Sequence, residues 1–265
     1  MKLLVLLLLV FPFLPARAQN YLEVSEDKQA DLLLTKIRSQ IATEEDRSAL
    51  QKIALSLQND AQLLDEQQHN YKKAMEKIDR AITFYEALSD TLSTAFNRKY
   101  KGHLLMRINK LSAAKQEIRT AIYLYRLKNT GAGIASSQFD LARIFEFENK
   151  ADSAIYYAGI ARTYWQQQEN SLQTLVINNL MQYHLLQLNQ TEKAESIYHE
   201  SELLLKKQAP HWQPLLDYYF TSMLLFRQIN DLTAAAHYRE LYLNKMDALR
   251  KEGITARSYY ENFSQ

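Results

Sequence analysis

Alanines at equal intervals constrain the fold of this chain more than any other feature of its sequence. Ala74, Ala114, Ala154 and Ala194 follow one another at a constant interval, and Ala235 continues the series one position late. A fixed interval of roughly 40 residues is typical of proteins built from stacked structural repeats. The spacing therefore predicts about five similar units over residues 45–250.

The residue composition indicates that each unit is helical. The whole chain has only five glycines and four prolines, and two of those prolines, Pro12 and Pro15, precede the repeats. A β-rich chain of 265 residues needs many more turn residues. Ala, Leu, Gln, Glu, Lys and Arg favour helix, and they fill most of the remaining positions. We predict an all-α fold.

Further small residues accompany the periodic alanines. Ala121 and Ala161 follow Ala114 and Ala154 by seven positions, and Gly102 and Ala142 precede them by twelve. Small residues on one side of a helix allow a neighbouring helix to approach closely. Each unit is therefore expected to bring neighbouring helices into close contact.

This frame resembles the tetratricopeptide repeat (TPR), which places small residues at its eighth, twentieth and twenty-seventh positions. Gly102, Ala114 and Ala121 match all three positions, as do Ala142, Ala154 and Ala161. The resemblance implies a right-handed α-solenoid of tandem helix-turn-helix hairpins. The usual TPR period is about 34 residues, and the interval from Ala114 to Ala154 is longer. The additional residues are expected on the inter-repeat side, at the helix ends and the loop between hairpins.

The two ends of the chain carry segments of a different kind. Residues 1–18 have the pattern of a Sec-type secretory signal: Lys2, an apolar run and a small-x-small site that predicts cleavage after Ala18. The alternative is a membrane anchor, but a spanning helix needs about 20 apolar residues. Residues 19–44 are interpreted as a lead segment with a capping helix. Residues 251–265 are interpreted as a C-terminal cap with a polar outer face carrying Ser258, Glu261 and Asn262.

Charge and cysteine content narrow the class of partner and the source of stability. Loss of the signal removes Lys2 and Arg17, which leaves equal numbers of basic and acidic side chains. Nucleic-acid binders normally gather a basic excess on one face, so nucleic acid is not an expected partner. The chain has no cysteine, so helix packing must supply its stability. No transmembrane segment is expected after cleavage.

The sequence predicts no catalytic, cofactor-binding or metal-binding residues. Gly131-Ala-Gly133 begins like a dinucleotide-binding loop, but it lacks the third glycine and follows a helix, so we interpret it as a loop between two helices. The six histidines do not show the three- or four-residue spacing of metal ligands. Tyrosines that recur near the repeat period are expected to pack between helices rather than to stack on sugars: Tyr71, Tyr123, Tyr156, Tyr198 and Tyr238.

The resemblance to TPR proteins also implies a partner-binding groove. In that family the second, fifth, ninth and twelfth positions of each repeat usually face the groove. Asparagine there can bond a peptide backbone, basic residues can hold a carboxylate, and aromatic residues can act as buried anchors. A solvated inner face without a ligand is the alternative. The candidates are Asn59, Lys99, His103, Phe139, Arg143, Asn179, Tyr183, Phe220 and Arg227.

These features together predict a non-enzymatic protein-interaction scaffold of the bacterial periplasm or cell envelope, either periplasmic or secreted. Its partner would be a protein or peptide held in the groove. Two alternatives remain open: an extracytoplasmic sensory or regulatory input module, and an accessory protein of glycan uptake. An enzyme is the last choice, because no reactive constellation is visible in the sequence.

Overall fold

The structure is a computed structural model that describes residues 16–207, 210–256 and 258–260, with side chains from residue 27 onwards. The predicted signal lies outside the described residues except for residues 16–18, which form the start of the first helix. Glu261 and Asn262 of the predicted C-terminal cap also lie outside them.

The described residues form eleven α-helices and no strand, which confirms the all-α prediction. In chain order the helices are α1 (Ala16–Arg38), α2 (Glu44–Glu66), α3 (Tyr71–Ala87), α4 (Thr91–Arg107), α5 (Leu111–Leu127), α6 (Gly131–Phe147), α7 (Ala151–Gln167), α8 (Ser171–Gln187), α9 (Thr191–Lys207), α10 (Trp212–Gln228) and α11 (Leu232–Lys251). None of the helices in these ranges is long and apolar enough to cross a bilayer.

The repeat period consists of two equal steps. From α3 to α9 each helix has 17 residues, and each linker between them has three. The middle residue of every one of these linkers has a positive φ angle: Ser89, Asn109, Asn129, Asn149, Glu169 and Asn189. The predicted lengthening therefore lies in the helices. The part of the prediction that placed additional residues in the inter-repeat loop is wrong, because linkers within and between hairpins are equally short.

The linker after α6 shows how a helix ends in this chain. Asn149 has φ 56°, its backbone N–H donates to the carbonyl oxygen of Glu146, and the next N–H, of Lys150, donates to that of Phe145. This is the Schellman arrangement, in which a left-handed residue satisfies the last carbonyl groups of a helix. Asparagine adopts this conformation more readily than most residues, which explains why it recurs in the linkers.

The periodic alanines lie at helix contacts, as their spacing predicts. Ala74, Ala114, Ala154 and Ala194 have no exposed surface, and Ala235 is 5% exposed. The companion residues Ala81, Ala121, Ala142 and Ala161 are also fully buried.

The chain divides into two compact units, and the first ends at Leu104. In this unit α1 packs against α2 and α3. The core between them contains Leu33, Leu50 and Phe84. Lys36 of α1 also donates a hydrogen bond of 2.9 Å to Asp46 in the first turn of α2.

The second unit begins at Leu105 and contains the helix pairs α6/α7, α8/α9 and α10/α11 after α5. Helix α8 packs against α7, α9 and α10, and twelve of its 17 residues are buried. The core of the unit includes Leu180 of α8, Leu216 of α10 and Leu249 of α11. Tyr260, which follows α11, belongs to the same core.

The glycines near residue 131 mark close helix contacts and not a loop. Helix α6 begins at Gly131, so the loop predicted there is wrong. A Cβ atom added to Gly131 would lie 2.5 Å from the ring of Tyr164, and one added to Gly133 would lie 2.5 Å from the ring of Tyr125. The sequence places glycine at these positions because the rings of neighbouring helices occupy the space of a side chain.

Two glycine substitutions are expected to have opposite effects. Gly133→Ala forces the buried Tyr125 ring to move, and overpacking of this kind lowers the free energy of unfolding by about 1–3 kcal/mol. Gly159→Ala meets no atom within 4 Å in the middle of α7 and raises it by about 0.5–1 kcal/mol. Urea unfolding monitored by circular dichroism measures both. Equal effects of the two variants would contradict the close contact at Gly133.

The periodic tyrosines do not share one role. Tyr198 and Tyr238 pack as predicted, with their hydroxyl oxygens 2.6 Å apart, and Tyr71 packs against the core of the first unit. Tyr123 and Tyr156 are 60% and 64% exposed. The packing prediction is wrong for these two, whose helix face is not covered within the described residues.

Candidate functional site

A cleft of ≈ 390 Å³ lies on the first helices of the hairpins in the second unit. Phe139, Arg143 and Glu146 of α6 contribute to its wall, together with residues of α8 and α10. Its remaining lining residues are Val176, Leu180, Gln213, Pro214, Asp217, Ser258, Tyr259 and Tyr260. We call this space the inner cleft.

One wall of the inner cleft is formed by the residues that follow the last helix. Ser258, Tyr259 and Tyr260, here called the tail segment, follow α11 and pack onto α6, α8 and α10. The backbone N–H of Ser258 donates to the hydroxyl oxygen of Tyr242 at 2.8 Å. Ser258 is fully buried, so the prediction that it lies on a polar outer face is wrong.

Asp217 of α10 is the main acceptor for the tail segment. Its Oδ1 accepts from the backbone N–H of Tyr259 at 2.7 Å and from the hydroxyl of Ser258 at 2.9 Å. Gln213 donates to the same oxygen at 3.1 Å. Burial raises the pKa of Asp217, these three hydrogen bonds oppose that shift, and the nearby charge of Glu146 adds to it. The hydrogen bonds to the tail segment thus offset only part of the desolvation of this carboxylate.

Tyr259 lies between a cation and a carboxylate. Its hydroxyl donates to Glu146 Oε2 at 3.0 Å, and the guanidinium carbon of Arg143 lies 5.1 Å from its ring centroid. Burial, and then the charge of Glu146, raise the pKa of this phenol. Tyr259 therefore acts as a neutral hydrogen-bond donor whose ring face also interacts with a cation.

The carboxylate that receives this hydrogen bond is buried among polar partners. The Glu146 side chain has no exposed surface, and its Oε1 lies 3.2 Å from Nε2 of the buried His184. Nδ1 of His184 lies 2.9 Å from Gln187 Oε1. Each ring nitrogen of His184 thus lies within hydrogen-bond distance of a side-chain oxygen.

Arg143 supplies the positive charge at this end of the inner cleft. Burial lowers the pKa of its guanidinium, but Tyr259, Glu146 and Asp140 outweigh that effect and raise it. The half-buried guanidinium of Arg143 thus keeps its positive charge.

Tyr260 completes the contact of the tail segment. It is 4% exposed, and its ring stacks on Tyr183 of α8 with centroids 4.8 Å apart and planes 24° apart. Stacked aromatic pairs of this kind add about 0.5–1.5 kcal/mol beyond the area that they bury.

Four of the predicted groove residues lie at or beside the inner cleft. Phe139 and Arg143 line it, Tyr183 stacks on the tail segment, and the Asn179 amide donates to the carbonyl oxygen of the cleft residue Pro214 at 2.9 Å.

The other two candidates of the second unit do not line the cleft. Phe220 is buried, with its ring centroid 5.9 Å from that of Tyr242. Arg227 is exposed in the last turn of α10.

The remaining three predicted residues belong to the first unit. Asn59 is exposed on α2, and Lys99 and His103 are half-buried on α4. The ring of His103 lies edge-on to Tyr100, with centroids 6.5 Å apart.

The sequence analysis missed Asp217 and the tail segment. Asp217 stands three residues before the candidate Phe220, which is at the fifth position of its repeat. Asp217 is therefore at the second position, which also faces the groove in TPR proteins, so the repeat pattern contained the signal. Nothing comparable marks Tyr259 and Tyr260, because they lie after the last repeat. In the described ranges, no three His, Asp or Glu residues converge as metal ligands would.

Comparison with solved structures identifies the architecture. BtubC (BKLC) from P. vanneervenii superposes with a TM-score of 0.64 at 13% identity, over 85% of this chain and 92% of that one. The fold is that of the TPR-like repeat proteins. Two structures of nearly identical TPR-like repeats of a kinesin light chain protein from Podosopora anserina give TM-scores of 0.59 and 0.56 at 11% and 12% identity. They cover 74% and 76% of this chain and 95% and 96% of their own.

Similarity of sequence does not accompany this similarity of fold. The chain matches no described protein family, and no curated protein is recognisably similar to it in sequence. TPR-like folds commonly mediate protein–protein interaction and are generally non-catalytic.

Proposed function

We propose that this TPR-like protein is a non-enzymatic interaction scaffold of the bacterial periplasm or cell envelope, and that it binds a peptide segment of a protein partner in the inner cleft. The observation that carries the proposal is the composition of the cleft, where Arg143, Asp217 and Phe139 line one open space. A half-buried cation, a carboxylate acceptor and an aromatic surface together suit the backbone and side chains of a peptide.

The open part of the cleft has room for a short stretch of peptide. About 390 Å³ remains beside the tail segment, which is at the lower end of the range for small-molecule sites. Asp217 already accepts a backbone N–H, an interaction that any peptide except one with proline at that position can supply. The contact between Asp217 and Tyr259 thus supports recognition of a peptide backbone as well as of side chains.

Site-specific photo-crosslinking tests the proposal in cells. A photoreactive amino acid at position 139 lies in the wall of the cleft, whereas one at position 156 lies on the exposed side of α7 and serves as the matched control. We expect a discrete partner to crosslink from position 139 and not from position 156, and Arg143→Ala to reduce its yield severalfold. The same crosslinked proteins from both positions, or no partner from position 139, would contradict the proposed site.

The location is tested separately. The pattern of residues 1–18 supports export, and mass spectrometry of the protein recovered from a periplasmic extract is expected to find Gln19 as its first residue. Recovery of the protein only from the cytoplasm with residues 1–18 intact would contradict this part of the proposal.

A further inference from the structure

We infer that the tail segment is a resident ligand of the inner cleft, and that the partner displaces it by presenting the same chemistry: a small hydroxyl residue followed by two aromatic residues. The inference rests on the proposed function and deepens it by naming the class of partner. It is carried by the contacts of Ser258, Tyr259 and Tyr260, each of which is satisfied by a different group of the cleft.

The tail segment makes the contacts of a bound peptide and not those of a further repeat. Ser258 and Tyr259 are held through a hydroxyl and a backbone N–H on one carboxylate oxygen, that of Asp217. Tyr259 reaches Glu146 across 113 positions of sequence. These contacts reach back to α6, far away in the sequence, and they hold the tail segment in the cleft as a bound peptide would be held.

The connection to α11 allows this docking to be exchanged. Helix α11 ends at Lys251, and Gly253 has a φ angle of +79°, a left-handed conformation that terminates the helix. Six residues separate Lys251 from Ser258, and Glu252, Gly253 and Thr255 among them are exposed. Release of the tail segment therefore requires no rearrangement of a helix, and the open part of the cleft gives a competing peptide a place from which to enter.

The tether makes the resident ligand a strong competitor. A segment held by a short linker has an effective concentration on the order of millimolar at its site. A peptide from outside then binds with an apparent affinity reduced by the fraction of molecules in which the cleft is open. If the tail segment is docked in 90–99% of molecules, that reduction is roughly 10- to 100-fold.

The three positions of the tail segment define what a partner must provide. The first position faces the acceptor Asp217 and is fully buried, which selects a small side chain with a hydroxyl donor. The second faces Glu146 with a donor and Arg143 with a ring face, which selects tyrosine over phenylalanine. The third position stacks against the ring of Tyr183, which selects an aromatic side chain. Glu146 and Asp217 disfavour an acidic side chain at either of the first two positions, because like charges repel.

Competition with a peptide copy of the tail tests the inference. The probe is a fluorescein-labelled synthetic peptide with the sequence of residues 254–260, and binding to the full chain is measured by fluorescence anisotropy. We expect the variant Tyr259→Ala/Tyr260→Ala to bind it at least 10-fold more tightly than the unmodified chain, because its own tail no longer competes. Tyr123→Ala/Tyr156→Ala, which removes two exposed tyrosines elsewhere, is expected to bind like the unmodified chain.

Two further variants show where the peptide binds. We call Tyr259→Ala/Tyr260→Ala the opened variant. Asp217→Ala added to it is expected to abolish the gain in probe affinity, whereas Asp217→Asn, which keeps an oxygen acceptor, retains most of that gain. A probe with phenylalanine in the position of Tyr259 is expected to bind several-fold more weakly. If the opened variant is folded by circular dichroism but binds the probe no more tightly than the unmodified chain, the inference is overturned.

The outcome is separable from that of the proposed function. A partner that crosslinks at position 139 and is displaced by the unlabelled peptide supports both. A partner that crosslinks there but is not displaced supports the proposed function and overturns this inference. If no partner crosslinks, the proposed function fails whatever the peptide does.

Discussion

Glu146→Ala is expected to lower the free energy of unfolding of the second unit by about 3–5 kcal/mol. The Glu146 carboxylate is fully buried, lies 3.2 Å from the buried His184 ring and contributes to the charge stabilisation of Arg143. Its removal leaves the Arg143 guanidinium without a negative charge that offsets its desolvation, and it leaves Nε2 of His184 without its carboxylate neighbour. It also leaves the hydroxyl of Tyr259 without its acceptor.

Urea unfolding followed by tryptophan fluorescence measures this effect selectively. The two tryptophans of the chain, Trp165 and Trp212, both lie in the second unit. Asp247→Ala is the matched control, because Asp247 forms an ion pair with Arg250 that is largely exposed and worth at most about 1 kcal/mol. A loss below about 1 kcal/mol for Glu146→Ala would show that the buried charges relax into solvent once the carboxylate is gone.

Asp217→Ala is expected to undock the tail segment while the helices remain folded. The substitution leaves the backbone N–H of Tyr259 and the hydroxyl of Ser258 without the oxygen that accepts from both. Each buried donor left unpaired costs about 1–3 kcal/mol. Hydrogen exchange read by mass spectrometry on peptides covering residues 254–260 is expected to show lost protection there, with little change in α8.

The conservative variant gives this prediction its control. Asp217→Asn retains an acceptor at the same position and is expected to keep the protection of the tail segment. Loss of protection in both variants would mean that the negative charge, and not the acceptor geometry, holds the tail segment. Unchanged protection in both would mean that the stacking of Tyr260 on Tyr183 suffices.

The raised pKa of Asp217 predicts how this contribution varies with pH. A carboxyl group whose pKa is higher in the folded than in the unfolded state contributes stability that is fully present below its unfolded pKa, near 3.8, and that is lost as pH rises through the folded pKa. The stability of the unmodified chain relative to Asp217→Asn is therefore expected to fall as pH rises above about 4 and then to level off. Urea unfolding of the two proteins across this range measures the difference, in which other titrating groups cancel. A difference that rises with pH would contradict the dominance of burial.

The fold was predictable because helix packing requires the same type of residue at a fixed interval. Each close crossing requires a small residue, so Ala114, Ala154 and their counterparts record the period directly in the sequence. The helix boundaries were less visible. Gly131 and Gly133 suggested a loop, because the usual meaning of glycine is conformational freedom, whereas here the reason is the space taken by Tyr164 and Tyr125.

The candidate site was only half visible in the sequence. Phe139, Arg143 and Tyr183 occupy the fifth and ninth repeat positions, which the resemblance to TPR proteins assigns to the groove, so they were expected near one another. The tail segment obeys no period, since its position depends on contacts with residues up to 113 positions away. A Ser-Tyr-Tyr sequence after the last helix carries no local signal that it returns to α6 and α10.

The uniform helices and three-residue linkers from α3 to α9 also determine how such a gene can change in length. An insertion or deletion of two helices with their linkers, for example of residues 131–170, brings the next helix back into the role of the one removed. A change of one helix and one linker exchanges the roles of first and second helices and turns cleft-lining side chains towards the opposite face. Recombination is thus expected to add or remove whole hairpins. Each event can change the length of the binding surface without requiring a new turn.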